Sequence, residues 1–159
     1  MTFSPLLNSI IEREGIAVLS DDHLDAFLAA NGDVILLVAG DHERLMEVND
    51  AAVILPELVK ASAGHLTPAV VARSDERLAQ RRYRFSRFPT FVFLRNGGYL
   101  GALSQVLDWA DYVTEINAIL KREVSEPPAF KMPGGFTPPS EQQPANIKTK
   151  LIEEGADNV

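Results

Sequence analysis

The stretch Tyr83-Arg84-Phe85-Ser86-Arg87-Phe88-Pro89-Thr90-Phe91-Val92-Phe93-Leu94-Arg95-Asn96-Gly97-Gly98 decides how this chain is read. Thr90 to Leu94 predicts an apolar strand entered from a proline, where the missing N–H does no harm to a sheet. Asn96-Gly97 predicts a tight hairpin turn, because both residues accept positive φ. Tyr99 to Ser104 is then the returning strand.

Working outward, the chain alternates strands and helices. Ser4 with Pro5 marks a helix start whose apolar face is Leu6, Leu7, Ile10 and Ile11. Gly15 ends it before a short strand, Ile16 to Leu19. Ser20 is placed to cap a second helix, Asp21 to Ala30, with acids near the positive end of its dipole. Val34 to Ala39 is apolar throughout, as a central strand covered on both faces should be. Gly40 to Gly64 spaces its apolar residues as a helix does, with Pro56 inside the pattern as an expected kink. Leu66 to Ala72 is a further strand, whose Pro68 fits a strand start or an unpaired backbone position. A short polar helix, Ser74 to Arg82, leads into the Pro89 stretch. Asp108 is placed to cap a last helix with Tyr112, Val113, Ile116, Ile119 and Leu120 inward, and Trp109 reads as a packing residue at its start.

From Ser125 onward the composition changes to proline and glycine, which predicts a tail at 125–159 without a packed core, after a domain at 1–124. A short helix at Ile147 to Glu154 is the one element expected there.

With 159 residues and 46% apolar content, one core plus an appendage is expected. A net charge of −7 argues against nucleic acid and against anionic lipid as partner. No apolar run is long enough to span a bilayer, and the first residues lack a basic leader, so the expected location is the cytoplasm. The chain contains no cysteine, so it has no thiolate nucleophile. There is no Gly-x-Ser-x-Gly motif and no phosphate-cradling glycine loop. His23, His42 and His65 are isolated, which makes a poor metal set, and no cofactor is implied.

The order of elements, with Leu66-Thr67-Pro68-Ala69 followed at matching spacing by Tyr83 to Thr90, resembles the thioredoxin segment Leu-Thr-Val-Ala … Tyr-Gly-Ile-Arg-Gly-Ile-Pro-Thr. That resemblance implies an α/β fold with a central mixed sheet flanked by helices, and a cis bond at Phe88-Pro89. Counting back from Pro56, it places Val48 and Ala51 at the two redox-cysteine positions, preceded by an extra loop. The cysteine-free body, the acidic loop, Phe88-Pro89-Thr90, Asn96-Gly97-Gly98-Tyr99-Leu100-Gly101 and Asp108-Trp109-Ala110 together are similar to the HyaE/HupG family. Its members are accessory factors in maturation of nickel–iron uptake hydrogenases.

The resemblance implies a non-catalytic chaperone that binds the twin-arginine signal peptide of the hydrogenase small-subunit precursor. Asp41, Glu43, Glu47 and Asp50 are the candidate partners for paired arginines, and Phe85, Phe88 and Pro89 the candidate apolar contacts. By default those acids are a solvated face. The basic run Arg81, Arg82, Arg84 and Arg87 sits awkwardly for a basic ligand. A thioredoxin-like oligomerisation module and a nickel-handling protein are the two alternatives from other classes.

Overall fold

The computed structural model describes residues 2–129. The expected tail therefore falls outside the described residues from position 130 onward, and so does the expected helix Ile147 to Glu154.

Local chemistry sets the first elements. Ser4 Oγ accepts the Leu7 N–H at 3.1 Å and Pro5 takes the first position, so α1 runs Pro5–Glu14 until Gly15, at φ 66°, stops it. The same Ser4 hydroxyl donates to Asn49 Oδ1 at 2.7 Å and ties this helix to a later one. Then follow β1 (Ala17–Leu19), α2 (Asp21–Asn31), β2 (Asp33–Val38), α3 (Glu47–Ala61) and β3 (Thr67–Val71). A single turn of 3-10 helix, Arg73–Asp75, leads directly into α4 (Glu76–Tyr83), then β4 (Thr90–Arg95), β5 (Gly98–Leu103) and α5 (Trp109–Leu120).

The strands form one sheet in the order β1-β3-β2-β4-β5. β1, β3 and β2 are parallel, while β4 runs antiparallel to both β2 and β5. Pro68 lies where β3 pairs only with β2, opposite Ile35, one residue before the β1 pairing begins at Ala69. The missing N–H is thus tolerated beside a strand that has not yet started.

The apolar β2 run divides its side chains between two cores. Ile35 and Leu37 join Leu7, Leu55, Phe91, Phe93, Tyr112 and Ile116 on the face covered by α1, α3 and α5. Val34, Leu36 and Val38 join Leu24, Leu28, Val92, Leu94 and Tyr83 beneath α2 and α4. This is the thioredoxin-like arrangement, a mixed sheet buried between two helical layers.

Three local expectations need correction. The stretch that reads as helical from Gly40 begins as a loop. Asp41 turns it by accepting the Glu43 N–H at its side chain (3.0 Å) and the Arg44 and Leu45 N–H groups at its carbonyl, and the helix starts only at Glu47. Ser20 and Asp108 stand at helix starts, but neither side chain makes a capping bond. Ser20 instead contacts His23 Nδ1 at 2.8 Å, and the Asp21 N–H at the start of α2 donates to Asp75 at 2.7 Å. Trp109, expected as a packing residue, is 48% exposed.

After α5 the chain returns along the outer edge of β5. The Ser125 N–H donates to the Tyr99 carbonyl at 3.0 Å, and Val124 lies so close over Gly98 that a Cβ there would collide with it.

Candidate functional site

Three segments meet around a groove of about 600 Å3: the loop after β2, the beginning of α4, and the turn before β4. The groove exists because Gly40 ends the central strand. Its φ is +86°, and a Cβ there would stand 2.6 Å from the Phe88 Cβ. Only glycine allows Phe88 to lie against this backbone. The Phe88-Pro89 bond is cis, as the resemblance implied. Thr90 fixes the turn, its hydroxyl donating to the Arg87 carbonyl at 2.6 Å and meeting Ser104 Oγ at 2.7 Å.

Beneath the groove sits Glu76, 5% exposed at the start of α4. One carboxylate oxygen accepts the Gly40 N–H at 3.1 Å and the other pairs with Arg73. Burial holds this carboxyl above its ordinary range, with the Gly40 N–H and the Arg73 guanidinium working against that shift. The buried Arg73 Nε has no acceptor among the described residues. Above the floor, the Arg77 guanidinium lies 5.3 Å from the Phe88 ring centroid. Phe88 in turn meets the edge of Phe85 at 5.5 Å.

The residues singled out from sequence are distributed as follows. Asp41, Glu47 and Phe88 line the groove. Glu43 is exposed on the adjoining loop, and Asp50 is exposed on α3, where its charge adds to the burial that raises the Tyr112 phenol. Pro89 is buried. Phe85, at 5% exposure, is not a contact surface: it is enclosed by the core beneath α2 and α4 and supports Phe88 from behind. Val48 and Ala51 fall in the first two turns of α3, each buried in the core, so the positions that the resemblance gives to redox cysteines hold carbon side chains sealed from solvent.

The basic residues reorganise the picture most. Of the run before Pro89, Arg82 pairs with Asp25 and lies over Tyr83, and Arg84 donates to the Pro127 carbonyl at 3.1 Å. Arg87 alone reaches the groove, where it joins Arg44, Arg73 and Arg77. Arg73 and Arg77 carry no sequence signal as site residues, since their segment reads as an ordinary solvated helix. Only the fold brings them beside Asp41 and Glu47.

Among the described residues, no His, Asp or Glu side chains converge in a group that could hold a metal, and no helix is long and apolar enough to cross a membrane.

The family model of hydrogenase-1 expression protein HyaE matches residues 6–112. The hydrogenase expression/formation protein HoxO of Azotobacter vinelandii is 44% identical over 124 residues, covering 78% of this chain and 83% of that protein. The hydrogenase expression/formation protein HupG of Bradyrhizobium diazoefficiens is 36% identical over 116 residues, covering 70% of this chain and 78% of the relative. Among solved structures, a thioredoxin of Plasmodium falciparum superposes with a TM-score of 0.52 at 20% identity, covering 68% of this chain and all of the other, which bears on the fold alone. The fold, the length of the match and the level of identity agree: this chain belongs to the HyaE family of hydrogenase expression proteins.

Proposed function

We propose that this protein is a non-catalytic chaperone of hydrogenase formation that holds the twin-arginine signal segment of a nickel–iron hydrogenase small-subunit precursor before export, on the cytoplasmic side. The observation that carries the reading is a pairing of loss and retention. The positions that the resemblance gives to the nucleophiles are taken by Val48 and Ala51, both buried, while the groove beside Phe88 stays open at about 600 Å3. A scaffold without a thiolate but with its groove can bind a peptide and cannot exchange disulfides.

Asp41, Glu43, Glu47 and Asp50 are the proposed acceptors for the two arginines, and Phe88 above Pro89 is the proposed apolar contact, supported by Phe85. Exposed ion pairs are worth about 0.2–1 kcal/mol each, so charge alone falls short of the roughly 8 kcal/mol that micromolar binding requires. Burying about 300 Å2 of the apolar part of a signal, at ~25 cal/mol/Å2, offers roughly 7 kcal/mol before ordering costs. Charge selects the segment and apolar burial retains it.

Titration against a small-subunit precursor, with and without its signal, tests the reading. Binding is expected to vanish with the signal and to weaken when its arginines become lysines or when Glu43→Lys and Asp50→Lys are introduced. Binding that survives removal of the signal places the contact on the folded subunit and overturns the proposal.

A further inference from the structure

The groove beside Phe88 is not the acidic slot that the loop sequence announces. Glu76 is fully engaged by Arg73 and the Gly40 N–H, which leaves Asp41 and Glu47 facing Arg44, Arg77 and Arg87. Among the described residues, none of these three arginines has a carboxylate within ion-pair distance; Arg81, Arg84 and Arg122 lack one too, but Arg44, Arg77 and Arg87 share a groove. The chain carries 22 acidic against 15 basic side chains, so carboxylates are in ample supply. With Arg73 and Glu76 paired, three arginines stand against Asp41 and Glu47, which leaves the groove one net positive charge on an acidic protein.

The geometry points to a second specificity: the groove takes an extended peptide segment bearing carboxylates, received by Arg77 and Arg87, with Arg44 contributing from the loop. Arg77 is positioned for this. Its guanidinium lies 5.3 Å from the Phe88 ring centroid and donates one N–H to Gln80 at 2.9 Å, which steadies it and leaves its other N–H groups for a carboxylate. Phe88 supplies an apolar wall for a neighbouring side chain. The net charge of −7 does not prevent this, because exposed charges beyond about 8 Å are largely screened at physiological salt. The inference rests on the preceding reading in placing a peptide in the groove. It adds that the bound partner offers acids as well as arginines.

The test uses the full chain and two fluorescent probes, a glutamate-rich peptide with a central Leu-Phe pair and the same peptide with glutamine throughout. The glutamate peptide is expected to bind and the glutamine peptide to bind markedly less. Arg87→Glu and Arg44→Glu, each checked by thermal melting, are expected to weaken the glutamate peptide together by about tenfold. Arg81→Glu, exposed and away from the groove, is expected to change it little. Equal binding of the two peptides, or an equal effect of Arg81→Glu, overturns the inference. A twin-arginine peptide in a parallel titration separates the two proposals. If it binds while the glutamate peptide does not, the second specificity falls and the chaperone reading stands. If only the glutamate peptide binds, arginine recognition falls and the second specificity stands. If neither binds, both fall.

Discussion

The start of α3 and the groove beside it are neighbours built to opposite specifications. At the start of α3, Val48 and Ala51 are buried and apolar, and they join the core formed by Leu55, Phe91 and Tyr112. In the groove, the space is open, the lining is charged, and one aromatic ring is held in place by a glycine that permits its approach. Here Val48 and Ala51 are absorbed into the core while the groove stays open, so an open groove on this scaffold does not depend on an accessible start of α3.

The sharpest way to break the contrast is to put a charge on the sealed side. Val48→Asp buries a carboxylate without a partner and is expected to destabilise the protein by about 3–5 kcal/mol, read by urea unfolding. A loss below about 1 kcal/mol would mean that the first turn opens readily and that the two regions are less distinct than their burial indicates.

At the rim, Gly40→Ala combines a positive φ with a clash against Phe88 and is expected to cost about 1–3 kcal/mol. It should also lower signal-peptide affinity, since Phe88 must move. An unchanged affinity with reduced stability would show that the Phe88 ring is not part of the binding surface.

The smallest effect lies on the groove floor. The Glu76 carboxyl is held above its ordinary value of 4.5, so the folded protein keeps a proton that the unfolded chain has already released. Stability therefore falls as pH rises from about 4.5 through the raised value. Glu76→Gln retains an acceptor for the Gly40 N–H and should flatten that slope. Denaturant titrations at several pH values check it, and an unaltered slope assigns the pH dependence to another group.

Sequence made the alternation of elements and the Asn96-Gly97 hairpin legible because each depends on residues close together in the chain, whereas the cis bond before Pro89 came from the thioredoxin resemblance. The thioredoxin resemblance, counted back from Pro56, leads to Val48 and Ala51, but their burial depends on what the rest of the chain packs over them. What sequence missed depends on pairs far apart. Asp75 supplies the acceptor at the start of α2, and Arg95 clasps Asp33 through two hydrogen bonds of 2.9 and 3.0 Å between neighbouring strands. Glu76 sits in a segment whose composition reads as solvated surface, yet the fold drives it under Gly40. The make-up of the groove was not legible for the same reason: its acids and its arginines both arrive from separate segments of the chain.

The return of the chain along β5 has a practical consequence for anyone who shortens this protein. An exposed strand edge offers unpaired backbone groups that recruit other chains. Val124 and Ser125 occupy part of that edge, so the last helix is not the end of the structural unit. A truncation placed just after Leu120 would remove this strap and leave the Tyr99 carbonyl without its Ser125 donor, inviting aggregation in the shortened proteins used to study binding. A cut beyond Pro127 keeps the edge covered and also preserves the carbonyl that receives Arg84.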